Sequence, residues 1–228
     1  MTARRDPAAE IGPGFLSRAS AVVYWFLALE VLLVLTCAPA LVGLLLLADG
    51  PGNAVLVGLC LAPVGPALSA AVFAWRRFLT DRDLSPARHF WRGYRLNAVD
   101  VLRWWLPALL VLSLVGFTLS TVDLAGVPRW YALLLALVAA GVLVWSAQAL
   151  ALSSVLALRT RDLVRLASYY LFARPSTAVG ALALLVVALG ATHFGSDWAP
   201  LLLASPLALA LLRTAEPALR DATERFTA

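Results

Sequence analysis

"ASAVVYWFLALEVLLVLTCAPALVGLLLL", residues 19–47, carries one charge, Glu30, in 29 consecutive positions. An α-helix rises about 1.5 Å per residue, and about 20 apolar residues cross a hydrocarbon layer of about 30 Å. The run is long enough to span a bilayer. Composition agrees with it: of 228 residues 62% are hydrophobic and 14% charged, and the mean hydropathy is +0.86. Soluble domains are about 45–50% apolar and about 25% charged. So much apolar surface cannot be hidden in one water-soluble core of this size, which places the chain in the membrane class.

Five more apolar runs follow, at roughly 54–75, 99–122, 130–157, 176–194 and 198–213. Turn chemistry separates several of them: "ADGPGN" at 48–53, "DLAGVPR" at 123–129 and "HFGSDWAP" at 193–200. The last run is short and interrupted by Pro200 and Pro206, so it reads either as a span or as a partly embedded helix. The expected fold is all-α: a polytopic bundle of about six transmembrane helices over 19–213. A segment 1–18 precedes it and a tail 214–228 follows it. Cys37 and Cys60 sit inside apolar runs and read as reduced and buried.

All 18 basic residues are arginine. With the N-terminus in the cytoplasm, Arg4, Arg5 and Arg18 lie inside, as do Arg76, Arg77, Arg82, Arg88, Arg92, Arg95 and Arg103. Arg159, Arg161, Arg165 and Arg174 form a third inner group, and Arg213, Arg220 and Arg225 a fourth; only Arg129 falls outside. This asymmetry is the positive-inside pattern and predicts a cytoplasmic-membrane protein with both termini cytoplasmic. Ala38-Pro39-Ala40 also fits a signal-peptide cleavage pattern, but the apolar run continues past it and Glu30 interrupts the would-be core.

Between the second and third runs lies "WRRFLTDRDLSPARHFWRGYRLN", residues 75–97. Ser85-Pro86 has the form of an N-cap and first helical residue. Beyond it Phe90, Trp91 and Tyr94 recur at helical spacing, with Arg88, Arg92 and Arg95 on another face. The pattern predicts an amphipathic cytoplasmic helix lying at the interface, docked through these residues and Asn97 on lipid headgroups or on a protein. Nucleic-acid binding needs a basic surface projecting into solvent, which a short tethered connection does not offer. "RDL" at 82–84 returns at 161–163, and at the same shift of 79 Phe90-Trp91 corresponds to Tyr169-Tyr170 and Arg95 to Arg174. That suggests a parallel repeat of span, amphipathic loop and span.

Three pieces of the chain resemble the YesL-like bacterial membrane proteins, a family whose domain carries no assigned function. "YWFLALEVLLVLTCAPA" is similar to the family's Trp-containing run ending at Thr36, Cys37 and Pro39. "GPALSAAVFA" resembles its Gly-Pro-Ala-x-x-Ala-Ala, here Gly65, Pro66, Ala67, Ala70 and Ala71. "HFWRGYRLN" resembles its Phe-x-x-x-aromatic-Arg-x-Asn, here Phe90, Tyr94, Arg95 and Asn97. The spacing between the first two pieces is longer here than is usual in the family. The resemblance implies association with carbohydrate uptake systems of the ATP-binding-cassette type, whose permease and ATPase subunits would be the partners.

No catalytic pair, metal-ligand spacing or phosphate loop is present, so the chain is expected to be non-enzymatic and to need no cofactor or metal. Glu30 is expensive inside a span. It reads either as a proton, cation or substrate site, or as a carboxyl bonded to a neighbouring helix, for example to Ser146, Gln148 or Ser153. Prolines within spans, Pro39, Pro63, Pro66, Pro107 and Pro206, free backbone groups that either line a polar cavity or merely kink helices. Gly65, Pro66, Ala67, Ala70 and Ala71 make a small-residue patch for close helix packing. Two functions follow: an accessory or interaction subunit of a carbohydrate transporter, or a small secondary transporter or channel built around Glu30. A homo-oligomer is compatible with both.

Overall fold

The computed structural model describes residues 14–226 other than 49, 82, 123–125, 127, 157 and 196–198. The N-terminal arginines Arg4 and Arg5 and the loop residue Arg82 lie outside the described residues, as does the side chain of Arg225. Among the described residues the chain is helical, with no strand. In order come α1 (Phe15–Leu46), α2 (Ala54–Cys60), α3 (Val64–Asp81), α4 (Pro86–Thr121), α5 (Arg129–Val155), α6 (Thr160–Ala173), α7 (Pro175–Phe194), α8 (Ala199–Leu202) and α9 (Ala204–Phe226).

Five stretches are long and apolar enough to cross a membrane: Phe15–Leu46, Ala54–Thr80, Pro86–Thr121, Arg129–Val155 and Pro175–Phe194. They coincide with the first five apolar runs, and the chain reads as a multi-pass membrane protein. The sixth run differs. It splits at Leu203 into the short α8 and the long α9, and α9 continues through the boundary expected at 213. Ala204, Ala208, Leu212, Ala215, Leu219 and Ala222 face the core at spacings of three and four, while Arg213, Glu216, Arg220 and Glu224 face outward. Residues 214–226 are thus the second half of a packed helix and not a tail.

The core is built around α3, which packs on α1, α4, α5 and α9. Its small-residue patch performs the expected task. Ala67, Ala70, Ala71 and Ala74 are fully buried, and a Cβ on Gly65 would lie 2.7 Å from the Trp105 ring of α4. Gly93 of α4 is matched the same way to Phe73 of α3. Small side chains let these backbones approach, which is how helices associate where lipid supplies no hydrophobic drive.

The arginine-rich connection after α3 folds differently from an interfacial helix lying flat. Pro86 opens α4 as expected, and α4 then runs unbroken for 36 residues into the third span. Helix propensity is continuous here because no proline or glycine pair interrupts residues 94–106. The second inner connection does form a separate helix, α6, because Pro175 cannot continue it and starts α7 instead. The suspected repeat matches in burial at one place, where the shift of 79 relates the buried residues Ala70, Ala71 and Val72 of α3 to the buried Ala149, Leu150 and Ala151 of α5. It fails one loop later. Phe90 is fully buried but its counterpart Tyr169 is 51% exposed, whereas Trp91 is 40% exposed and its counterpart Tyr170 is fully buried.

Candidate functional site

Halfway along α1, the Glu30 Oε2 accepts the backbone N–H of Ser205 at 2.9 Å. Ser205 is the second residue of α9, and the first-turn N–H groups of a helix have no partner within it. Pro206 follows, so the chain breaks between α8 and α9, and the carboxylate caps the exposed donor end. Negative charge is favoured there by the helix dipole. The Trp75 Nε1–H donates to the Ser205 carbonyl at 3.1 Å, clamping the same residue from α3. Glu30 Oε1 and Ser205 Oγ are buried without a hydrogen-bond partner among the described residues.

The partners expected for Glu30 on the fourth span are not the ones used. The main neighbours of α1 are α2, α3, α4, α8 and α9, and α5 is not among them. Ser153 on α5 donates to the Leu150 carbonyl at 3.1 Å, within its own helix. Gln148 and Ser146 are buried on α5, where Gln148 Oε1 and Ser146 Oγ have no partner among the described residues. The four residues therefore do not form one polar site. The backbone group that meets Glu30 is a first-turn N–H donor, where proline-freed carbonyls had been expected. Pro206 was the available sequence signal for it, since a proline immediately after Ser205 breaks the helix at that point.

The arginine–aromatic helix divides by face. Phe90 is fully buried, stacked on Tyr94 with ring centroids 6.4 Å apart, and Tyr94 is half-buried against the core. Asn97 points inward as well. Its Nδ2 donates to Ser69 Oγ at 3.4 Å, and Ser69 Oγ is 3.0 Å from Ser154 Oγ, so this chain of three joins α4, α3 and α5. Phe90 and Asn97 are packing residues, correcting the docking role expected for them. Arg88, Trp91, Arg92 and Arg95 do face outward, and none of the three arginines forms an ion pair with another described residue. On α6 the outward face carries Arg161, Arg165, Tyr169 and Phe172.

Two polar clusters at this arginine-rich end went unread in the sequence. In the turn between α3 and α4, the Asp83 carboxylate lies 2.8 Å from His89 Nε2, and its other oxygen receives the Ser85 N–H at 3.4 Å. The Asp83 carbonyl takes the Trp25 Nε1–H at 2.8 Å. Ser85 thus starts α4 without capping it through its own side chain. In the second cluster the buried Tyr170 hydroxyl donates to Asp221 at 2.7 Å, and Arg174 reaches the same carboxylate at 3.4 Å, pinning α6 to α9. A groove of about 460 Å³ runs beside it between α3 and α9, lined by Arg76, Leu79, Leu212, Arg213, Glu216 and Arg220 among others. No group of three or more metal-ligating side chains occurs among the described residues.

Compared with known proteins, the chain matches no family model, no curated protein and no solved structure.

Proposed function

We propose that this protein is a non-enzymatic accessory subunit of the bacterial cytoplasmic membrane, with its arginine-rich end in the cytoplasm, where it docks a partner. The observation that carries this reading is the division of faces on α4 and α6. Each buries a small or aromatic stripe in the bundle and turns arginines with an exposed ring outward: Arg88, Trp91, Arg92 and Arg95 on one, Arg161, Arg165, Tyr169 and Phe172 on the other. Arginine with exposed aromatics is the composition of binding hot spots. The YesL-like resemblance supplies the partner: the permease and ATPase subunits of a carbohydrate uptake system.

The test is purification of the tagged protein from native membranes in mild detergent. Permease and ATPase subunits should co-purify, and Trp91→Ser with Arg92→Gln and Arg95→Gln should release them while the bundle stays folded. Recovery of the same partners with the triple variant, or no such subunits with the parent, would remove the proposal.

One observation favours the second reading, a small transporter: the capped helix break at Glu30 and Ser205 resembles the interrupted helices at which transporters bind substrates and ions. Uptake into liposomes that is abolished by Glu30→Gln supports it; a fully folded Glu30→Gln protein with unchanged uptake opposes it.

A further inference from the structure

Ser205 is fully buried at the head of α9, and both of its main-chain groups are held. Its N–H is taken by Glu30 Oε2 at 2.9 Å, and its carbonyl receives the Trp75 Nε1–H at 3.1 Å. Its hydroxyl is left over. Hydroxyls elsewhere in the bundle return to a carbonyl of their own helix: Thr36 to Leu32 at 2.8 Å, Ser154 to Leu150 at 2.6 Å and Thr214 to Ala210 at 2.8 Å. Ser205 lies just past the helix break, so the carbonyl four residues back belongs to α8. Its Oγ is buried with no partner among the described residues, and so is Glu30 Oε1 on the other side of the same hydrogen bond.

The break supplies a third oxygen. In a continuous helix the Leu202 carbonyl would accept from residue 206, and residue 206 is proline, which has no N–H. On the arginine-rich side, Phe26 lies one turn before Glu30 and packs on Trp75, ring centroids 4.5 Å apart, with the buried Trp25 6.0 Å from Trp75. These rings bring no positive charge, and no arginine pairs with Glu30 among the described residues. A carboxylate inside a span is costly without a counter-charge, and a buried polar atom without a partner calls for a water or an ion.

We propose that Glu30 Oε1, Ser205 Oγ and the Leu202 carbonyl bind a sodium ion at the break between α8 and α9. Charge selects a monovalent ion: one cation cancels one carboxylate, whereas a divalent ion would leave a net charge in apolar surroundings. The donor atoms select the class of metal, because carboxylate, hydroxyl and carbonyl oxygens suit hard cations. Enclosure selects size. Both side-chain oxygens are closed to solvent, which favours a small bare ion over potassium or an organic ammonium. Interrupted helices in membrane proteins hold sodium with the same kinds of group, freed carbonyls and half-helix ends. The ion adds to the backbone cap and ties α1 to both α8 and α9. The inference rests on the helix-break site of the transporter reading and names its ion; sodium binding without uptake would leave the inference standing and remove that reading alone.

The experiment takes the purified full chain in detergent, exchanged into choline chloride at fixed ionic strength, and measures binding of radioactive sodium together with the thermal midpoint. The parent should bind sodium saturably, and unlabelled sodium should displace it where potassium and choline do not. Sodium should raise the midpoint above that in potassium or choline chloride, because an ion bound only by the folded state stabilises it. Ser205→Ala keeps the N–H that caps Glu30 and removes one ion ligand. It should fold as the parent does without sodium and bind sodium at least about tenfold more weakly, the size expected for one lost contact to a charged group. Glu30→Gln should abolish both binding and the sodium-dependent rise. If Glu30→Gln fails to fold, the Ser205→Ala comparison decides alone. A carboxylate that only caps the helix, or a site filled by water, predicts no sodium effect in any of these proteins. Absence of saturable sodium binding, equal midpoints in the three salts, or variants that bind sodium as the parent does would each overturn the proposal.

Discussion

Glu30 and Ser205, 175 positions apart in the sequence, are joined by a 2.9 Å hydrogen bond from a backbone N–H in α9 to a carboxylate in α1. The bond ties the first helix to the last at the point where the chain breaks between α8 and α9. Glu30→Leu would strand the Ser205 N–H in apolar surroundings, and an unpaired buried donor costs about 1–3 kcal/mol. Glu30→Gln keeps an acceptor oxygen and should lose less than half as much. Thermal unfolding in detergent, followed by far-UV circular dichroism, should rank the parent above Gln and Gln well above Leu. Equal midpoints for all three would show that the cap does not hold the bundle together.

The contact between Gly65 and Trp105 predicts a steric penalty confined to one glycine. A Cβ at position 65 would stand 2.7 Å from the indole of Trp105, closer than real Cβ contacts come, whereas one at Gly141 meets nothing within 4 Å. Overpacking of a well-filled site costs about 1–3 kcal/mol. Gly65→Ala should therefore lower stability by that order, and Gly141→Ala should leave it unchanged or raise it slightly, since alanine is the better helix former. The comparison is between two identical chemical changes, so composition cannot explain a difference.

Phe90 and Trp91 are adjacent, and the fold assigns them opposite tasks. Phe90 is fully buried and Trp91 is 40% exposed. Truncating a buried phenylalanine costs about 3–5 kcal/mol, so Phe90→Ala should reduce the folded fraction recovered in detergent. Trp91→Ala should leave the thermal midpoint within a few degrees of the parent and act on partner recovery alone. The reverse ranking would mean that α4 is rotated by about one residue from the register described.

Much of the fold was legible because hydropathy is a direct readout of the surrounding solvent: five apolar runs and five long helices coincide. The rest was hidden for three physical reasons. Helix α9 buries alanines, whose small apolar area hardly registers against Arg213, Glu216, Arg220 and Asp221, so its second half looked like a polar tail. The partner of Glu30 is a main-chain group, and backbone donors carry no sequence signature beyond the neighbouring Pro206. The face of α4 could be read only to within one residue. Phe90, Trp91 and Tyr94 fit a single aromatic face about as well as the divided arrangement they adopt, and only the packing of their neighbours Gly93 on Phe73 and His89 on Trp25 decides between them.

The buried chain of Asn97, Ser69 and Ser154 is the cleanest place to measure a polar contact between spans. Ser69 is the shared member, 3.4 Å from Asn97 Nδ2 and 3.0 Å from Ser154 Oγ. Ser154 also donates to the Leu150 carbonyl at 2.6 Å, so it keeps a partner when Ser69 is removed, while Asn97 loses the one shown for it. A double-mutant cycle of Ser69→Ala with Asn97→Leu should give a coupling of about 0.6 kcal/mol, the usual size for hydrogen bonds between spans. The Ser69→Ala and Ser154→Ala cycle should give less. A coupling near zero in the first cycle would reduce this network to incidental packing.

Removal of residues 214–228 separates the packed helix from the tail that hydropathy alone describes. The cut discards Ala215, Ala218, Leu219 and Ala222 from the core, and with them Asp221, the acceptor of the Tyr170 hydroxyl and of Arg174. Tyr170 is fully buried and would be left with its hydroxyl facing the vacated space. Loss of Leu219 alone is worth about 2–5 kcal/mol by analogy with buried leucine truncations. The shortened chain should therefore aggregate on size-exclusion chromatography in detergent, and trypsin should cut α6 at Arg161 or Arg165 faster than in the parent, where the Tyr170–Asp221 hydrogen bond holds the end of α6 to α9. A single-residue change, Asp221→Asn, keeps the buried alanines and should weaken only the α6 contact, giving a folded protein with faster cleavage at those two arginines. If the truncated chain elutes and resists trypsin as the parent does, the second half of α9 contributes nothing to the bundle, and residues 214–226 behave as the tail their charges resemble.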